Sequence, residues 1–548
     1  MASGLDISIK TMTYFQSRRS SVTARRGVVA TSQPLAAQVG LRVLMDGGHA
    51  VDAAVATSAA LGVVEPHMTG VGGDLFALVW DASKRQVSAL NASGRAAGAA
   101  NAQDVRRAGF DTMPEEGEGV GVSVTVPGTV SGWASLLQRY GRMPLADLLA
   151  PAVELALDGY VVSEVVASIW RDAESRLTRL PSGTELLRDG RAPQFGEIIQ
   201  LPELGRTLQA IAAGGPDAFY QGALAAQAAD YVQRHGGCLT AVDFAEHEAT
   251  WDEPISTDYR GTRVWECPPN GQGLAALMGL NLGEGFDIAA MGAQSADRYH
   301  TLIECMRLSF ADAFRYIADP RRVDVPTQEL LSKHYAKERA SSISMHHAMA
   351  DIDFGNPHGV SDTVYLTVVD GDGNACSLIN SLYAEFGSGL VVPGTGMALQ
   401  NRGANFTLED GHPNVLEGGK RPYQTIIPAL ATRDGELWLS FGVMGGHQQP
   451  QGHLQVISNL VDFEMEPQTA LDALRFRIDV TGSGDVELEA GVSTKLIDEL
   501  QRRGHRVRVI DGYDRSLFGG GQVIARNPKT GALIAGSEPR IDGAAVGW

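Results

Sequence analysis

The most constraining feature of this sequence is a pair of apolar, β-rich runs, TVYLTVVD at 363–370 and ACSLINSLY at 375–383. They are separated by a short Gly/Asp/Asn stretch, and such runs around such a stretch read as an antiparallel hairpin. If Asp370 to Asn374 form the turn, Val369 faces Ala375 and Thr363 faces Ser381. Directly opposed residues have Cβ atoms about 4.5–5.5 Å apart on one face of the sheet. Two hydroxyls would therefore meet at the start of a buried strand, and a different turn would shift the pairing by one residue. The segment before Thr363, MHHAMADIDFGNPHGVSD, has no periodicity and reads as an exposed loop. Long loops in compact domains are often functional.

Two readings of this pair stay open at the level of the residues. A Thr and a Ser across a hairpin ordinarily just hydrogen-bond to each other. Alternatively, Thr363 is the nucleophile of an N-terminal-nucleophile hydrolase. Its hydroxyl attacks the preceding carbonyl, water hydrolyses the resulting ester, and the freed α-amine becomes the base for that same hydroxyl. An α-amine has an ordinary pKa of about 7.7–8.0, which suits a general base near neutrality.

The rest of the chain supports a large mixed α/β fold. From Gly27 to about Ala100 the pattern is strand, helix, strand; Val126 to Ser341 reads as a helical cover; after Asp351 the texture turns β-rich, with helices at HLQVISNLVD and VSTKLIDELQRRG. At 548 residues, length alone allows three to four domains at about 150 residues each. The 45 basic and 64 acidic residues leave a net charge of −19, which argues against nucleic acid and anionic lipid as partners. Four scattered cysteines, Cys238, Cys267, Cys305 and Cys376, fit buried thiols better than a zinc motif or a disulfide framework. Asp6, Lys10 and Arg18 interrupt any signal-like stretch, and the apolar run from Ala50 to Val64 is broken by Asp52 and too short to cross a bilayer. A soluble, cytoplasmic protein is expected.

Other motifs are weak alone. DGDGN resembles the start of a calcium loop, but position six is Ala375 and position twelve Ser381, where such a loop needs Gly and Glu. GVGGD at 70–74 and FGSG at 386–389 read as tight turns, and neither gives a phosphate-loop pattern. Gly445 and Gly446 follow the strand-like LWLSFGV, where backbone N–H groups can approach a reacting carbonyl. No metal-ligand spacing occurs, and no metal or cofactor is expected.

These pieces occur together in the order GGHAVDAAVA, VGGD, VPGTVSGW, PLADLLAPAVELA, TVYLTVVDGDGNACSL, FGSG, KRPYQTIIPA, MGGHQQPQ and SEPRIDGAAVGW. In this the chain resembles the γ-glutamyltransferase family of N-terminal-nucleophile hydrolases from about Gly27 to its end. The resemblance implies a four-layer αββα sandwich and a precursor that cuts itself between Asp362 and Thr363. It implies an N-terminal extension at 1–26, a large chain ending at 362 and a small chain of residues 363–548, the two remaining together as one domain in an αβ heterodimer, or a dimer of these. It further implies Thr363 as nucleophile, Ser381 as a supporting hydroxyl, Gly445 and Gly446 as the oxyanion-hole pair, and Arg95 as the holder of a substrate carboxylate.

The chain departs from that family where γ-glutamyl enzymes hold the substrate's α-amino group with Asn, Glu or Gln, and Asp, and its carboxylate with a Ser pair. The matching positions here are Tyr383, Arg402 and Asn405, and Gln424 with Thr425. The acidic partner for an ammonium is missing and a cation stands in its place. A pocket with Arg95 and Arg402 and no carboxylate disfavours a zwitterionic γ-glutamyl group and favours a small acyl amide ending in carboxylate; the other reading of Arg402 is that it points away and pairs with a structural carboxylate. That pattern resembles the branch containing oxamate amidohydrolase and acylases. A genuine γ-glutamyltransferase or glutathione hydrolase, a member recruited to C–C or other acyl hydrolysis, and an unprocessed non-catalytic homologue remain as alternatives.

Overall fold

Fourteen strands build two seven-stranded sheets in the computed structural model, which describes residues 19–350 and 362–548. In chain order the strands are β1 (Val22–Ala24), β2 (Gly27–Thr31), β3 (Asp74–Asp81), β4 (Gln86–Asn91), β5 (Thr250–Asp252), β6 (Ile255–Tyr259) and β7 (Thr262–Glu266). They continue as β8 (Asp362–Asp370), β9 (Ala375–Tyr383), β10 (Ala429–Arg433), β11 (Glu436–Met444), β12 (Gly520–Arg526), β13 (Leu533–Ser537) and β14 (Ala544–Gly547). One sheet runs β14-β2-β8-β9-β3-β4-β5 and the other β1-β13-β12-β11-β10-β7-β6. All their pairings are antiparallel.

The sheets pack face to face, with β8 lying against β11 and β12. Strands on both sides of position 362 enter each sheet, so the two halves of the sequence share one pair of cores. β1 falls within the expected N-terminal extension but pairs with β13, so the fold begins before Gly27.

Helices close the two outer faces, completing the four layers. Over the first sheet lie α1 (Pro34–Met45), α2 (Ala50–Val64), α3 (Leu145–Asp158) and α4 (Pro202–Tyr220). Over the second lie α5 (Gly273–Gly283), α6 (Ala296–Tyr316) and α7 (Gln448–Val461). α2 is buried at every position, as a helix apolar all round must be. Its lone acid, Asp52, is consumed in the cap, accepting from the His49 N–H at 2.7 Å. The continuous helical pattern from Pro34 to Val64 is broken at Asp46–His49, where Gly47 takes a positive φ of 93°.

The middle of the chain is not helical throughout: β5, β6 and β7 interrupt it and edge the two sheets. The loop expected before Thr363 falls largely at 351–361, outside the described residues. Cys267, Cys305 and Cys376 are buried free thiols, whereas Cys238 is only half-buried. Among the described residues no helix is long and apolar enough to cross a membrane.

Candidate active site

The turn at Asp370–Asn374 sets the hairpin. The Asp370 carboxylate accepts from the N–H groups of Asp372 at 3.0 Å, Asn374 at 2.9 Å and Ala50 at 3.1 Å, tying the turn to the start of α2. Pairing then runs without interruption from Val369 opposite Ala375 to Val364 opposite Asn380. Between Val364 and Asp362 the register shifts by one, so that Asp362 faces Tyr383. Such a bulge re-aims side chains at a strand end. Thr363 lies within it, wholly buried, and its hydroxyl donates to Ser381 Oγ at 3.1 Å.

Ser381 also sits directly opposite Asp74 on β3, so Thr363, Ser381 and Asp74 form one row across three strands. The Gly72–Gly73 pair before Asp74 makes this close approach achievable: a Cβ at Gly73 would stand 2.4 Å from the Ser381 carbonyl oxygen. Asp74 has no solvent exposure and accepts from Gly94 N–H at 2.7 Å, Gln400 Nε2 at 2.9 Å and Gln424 Nε2 at 2.6 Å. Burial pushes its carboxyl up to about 6, with Arg402 and these hydrogen bonds pulling the other way.

Arg402 reaches Asp74 with Nε at 3.9 Å and is itself wholly buried. Nη2 donates to Ser381 Oγ at 3.0 Å, Nη1 donates to Thr425 Oγ1 at 2.6 Å, and the guanidinium carbon lies 4.5 Å from the centre of the Tyr383 ring. Burial lowers the guanidinium to about 10, and it keeps its charge at neutral pH. Tyr383 adopts a φ of +81°, uncommon and strained for a bulky residue. Its N–H donates to Ser381 Oγ at 2.9 Å and its hydroxyl to Asn405 Oδ1 at 2.9 Å.

Gly445 and Gly446 follow β11 with φ of +124° and +56°, directly ahead of α7. The carbonyl of Gly445 accepts from Gln448 N–H at 2.9 Å and that of Gly446 from Gln449 N–H at 3.2 Å, which closes the first turn of the helix. The glycine pair is linked to the rest of the site by Gln272, wholly buried at the start of α5. Gln272 Nε2 donates to Gly446 O at 2.8 Å and to Thr425 O at 2.6 Å, while its Oε1 accepts from Tyr423 Oη at 2.9 Å.

Eight of the expected residues, Thr363, Ser381, Tyr383, Arg402, Asn405, Gln424, Thr425 and Gly446, are thus joined in one hydrogen-bonded network through Asp74 and Gln272, with Gly445 beside Gly446. Arg402 Nε, Asn405 Nδ2 and Gln424 Oε1 in this network are buried without a hydrogen-bond partner among the described residues. Arg95 stands apart. It is half-buried, its side chain makes no hydrogen bond or ion pair among the described residues, and it has Asp319, Arg321, Glu248 and Arg322 as its electrostatic neighbours. Burial is the main cause lowering its pKa.

Two expectations change. The site does contain a carboxylate, Asp74, which the sequence hides inside a glycine turn. Arg402 is not a free second cation beside Arg95, because it is bound to that carboxylate and to Ser381. Sequence reasoning also passed over Gln272 and Gln400, isolated amides with no local pattern around them. Among the described residues no cluster of acids, His and Cys could hold a metal ion.

The model of the family described as gamma-glutamyltranspeptidase matches residues 36–548. The glutathione hydrolase-like YwrD proenzyme of Bacillus subtilis is 39% identical over 535 residues, which cover 96% of this chain and 99% of that protein. The oxamate amidohydrolase proenzyme of Klebsiella pneumoniae is 34% identical over 538 residues, covering 96% of this chain and all of that one (100%). The crystal structure of cephalosporin acylase from Bacillus halodurans matches with a TM-score of 0.90 at 43% identity, covering 99% of each chain. The chain belongs to the gamma-glutamyltranspeptidase family of N-terminal-nucleophile hydrolases, and it is an enzyme of the amidohydrolase kind.

Proposed function

We propose that this chain is a proenzyme that cuts itself between Asp362 and Thr363 and then hydrolyses the amide bond of a small, carboxylate-bearing substrate through an acyl-enzyme on Thr363. The observation that carries this reading is the buried Thr363 hydroxyl on Ser381 Oγ at the head of a strand, inside a network that also gathers three unpartnered polar atoms. In the cut enzyme the α-amine of Thr363 takes the hydroxyl proton as Oγ1 attacks the substrate carbonyl. The N–H groups of Gly445 and Gly446 receive the oxyanion, the amine leaves, and water releases the acid from the ester.

Arg95, whose side chain has no hydrogen-bond or ion-pair partner among the described residues, is suited to the substrate carboxylate, and Asn405 Nδ2 and Arg402 Nε supply further donors. Asp74 does not offer an ammonium a free oxygen, because both of its oxygens already accept hydrogen bonds. That argues for an oxamate-like amide over a γ-glutamyl group. The two products of the cut stay associated as a heterodimer, since each sheet takes strands from both.

The test is a denaturing gel of the purified chain with sequencing of the smaller band. Fragments meeting at Thr363, with Thr363→Ala remaining whole and inactive, support the reading; a parent chain that stays intact on incubation overturns it. For the substrate, oxamate should be hydrolysed faster than a γ-glutamyl anilide, and Arg95→Gln should raise KM for oxamate more than for a neutral amide. The reverse order of the two substrates would move the assignment to a γ-glutamyl hydrolase.

A further inference from the structure

Before any cut, the nitrogen of Thr363 is a peptide nitrogen and has no basicity to lend. The α-amine that activates the hydroxyl in the proposed mature enzyme does not yet exist. Whatever readies Thr363 for self-cleavage must therefore lie among its neighbours in the uncut chain. Three donors converge on the one oxygen that Thr363 touches: its own hydroxyl at 3.1 Å, the Tyr383 N–H at 2.9 Å and Arg402 Nη2 at 3.0 Å, all on Ser381 Oγ. Two hydrogen bonds separate the guanidinium from Thr363 Oγ1, so the two lie within about 6 Å of each other, a range in which a cation favours the charged form of an oxygen acid.

Arg402 is also immobilised for such a task. Its charge is countered by Asp74 at 3.9 Å, its Nη1 is spent on Thr425 at 2.6 Å, and its plane rests on the Tyr383 ring. The left-handed backbone of Tyr383 brings its N–H onto the same Ser381 oxygen. A residue whose main service was to greet an incoming substrate would gain nothing from a hydrogen bond to the nucleophile's own support.

We infer that Arg402, held by Asp74, is a positioning residue for the Thr363–Ser381 hydroxyl pair and meets the negative charge that develops there, so that it serves self-cleavage, a step in which no substrate is present. This rests on the proposed role of Thr363. In that step Thr363 Oγ1 bonds to the carbonyl carbon of Asp362 as the C–N bond breaks. The hydroxyl proton ends on the departing nitrogen, giving an ester and a free α-amine. Water then cleaves the ester, leaving the Asp362 carboxylic acid and the restored Thr363 hydroxyl. Arg402 supplies no atom to either product.

The experiment follows the appearance of the two fragments over time in freshly made chain, with no substrate added, for the parent, Arg402→Gln, Arg402→Lys and Thr363→Ala. Arg402→Gln should slow cleavage at least tenfold, Arg402→Lys should recover part of the rate, and millimolar methylguanidinium should speed Arg402→Gln but not the parent. Circular dichroism identifies folded variants, and if Arg402→Gln does not fold, the Lys variant with Thr425→Val carries the comparison, each being slower than the parent. Cleavage of folded Arg402→Gln at the parent rate, with only KM for oxamate raised, would overturn the inference and return Arg402 to the substrate alone. A parent chain that never cuts is a different failure and removes the proposed role of Thr363 itself.

Discussion

Gln272→Leu isolates the link between the glycine pair and the segment carrying Tyr423 and Thr425. Leucine keeps much of the side-chain volume but removes three hydrogen bonds, at 2.6, 2.8 and 2.9 Å, in a site with no exposure. Gly446 O keeps a partner, the Gln449 N–H at 3.2 Å, whereas Tyr423 Oη loses the one it has in Gln272. A buried polar group left unpaired costs about 1–3 kcal/mol, so Tyr423 Oη puts the loss of stability at up to about 3 kcal/mol. In a chain of 548 residues the unfolding entropy is about 1.2 kcal/mol/K, so this moves the melting temperature by only about 3 °C. Melting is the insensitive readout and kinetics the sensitive one. Removing an oxyanion donor outright costs about 10²–10³ in kcat, and loosening the glycine that carries it through its carbonyl side costs less, so kcat for oxamate should fall about 10- to 100-fold with the protein still folded. Steady-state hydrolysis of oxamate on self-cleaved protein, beside a thermal scan, measures both. A folded Gln272→Leu whose kcat stays within twofold of the parent would show that the glycine pair does not depend on this amide, and the network argument would fail at its centre.

Three further outcomes follow from other contacts. Asp74 titrates near 6 because burial raises it, so its folded pKa lies above its unfolded value. Its proton therefore stabilises the fold at low pH, and the contribution, of order 3 kcal/mol, is lost as pH rises from about 4 through about 6; Asp74→Asn should flatten that dependence in denaturant titrations, and an unchanged slope would refute it. The Glu266 carboxyl is raised well above its ordinary range by burial, with Oε2 unpartnered and Oε1 2.7 Å from His453 Nδ1, while His453 Nε2 accepts the Val443 N–H at 3.1 Å. The pair is therefore neutral, and Glu266→Gln should shift stability by less than about 1 kcal/mol where a charged pair would lose about 3–5. Gly445→Ala forces a side chain onto a φ of +124° with its Cβ 3.2 Å from Gly519 Cα, and should cost about 1–3 kcal/mol of stability and lower kcat; parental values of both would show that the turn relaxes freely.

The sequence carries the hairpin plainly, because its register depends on a turn whose own Asp and Asn side chains close it. Once the turn is placed, the meeting of Thr363 with Ser381 follows by counting. The bulge at Thr363 is not legible, since no Gly or Pro marks it and it arises where Asp362 pairs with Tyr383. Asp74 is hidden for a different reason. It reaches Ser381 through the pairing of two strands about three hundred residues apart, and nothing local in VGGD announces which strand lies beside it. The strands β5, β6 and β7 are three to five residues long between helical patterns, too short for an alternation to stand out. Helix α2 is legible because its apolar and capping patterns are locally complete, whereas α7 starts at Gln448 without a side-chain cap and shows in the sequence only from His453.

Charge is where the structure most alters the reading of this site. A lone guanidinium at zero exposure pays several kcal/mol for its lost water, so two uncompensated arginines in one pocket would be an expensive way to attract an anion. Asp74 removes that expense for Arg402 and leaves the buried pair neutral while still setting a cation beside Ser381. Under the proposed function, the pull on an anionic substrate then falls to Arg95, which is only half-buried and keeps part of its hydration. The division has a mechanistic logic. A cation that must act before any substrate is present needs a permanent counter-charge, and one that must bind and release an anion at every turnover must not have one. A carboxylate elsewhere in the pocket that permanently neutralised Arg95 would defeat binding, just as losing Asp74 would leave Arg402 a buried, uncompensated charge that costs stability before any catalysis begins.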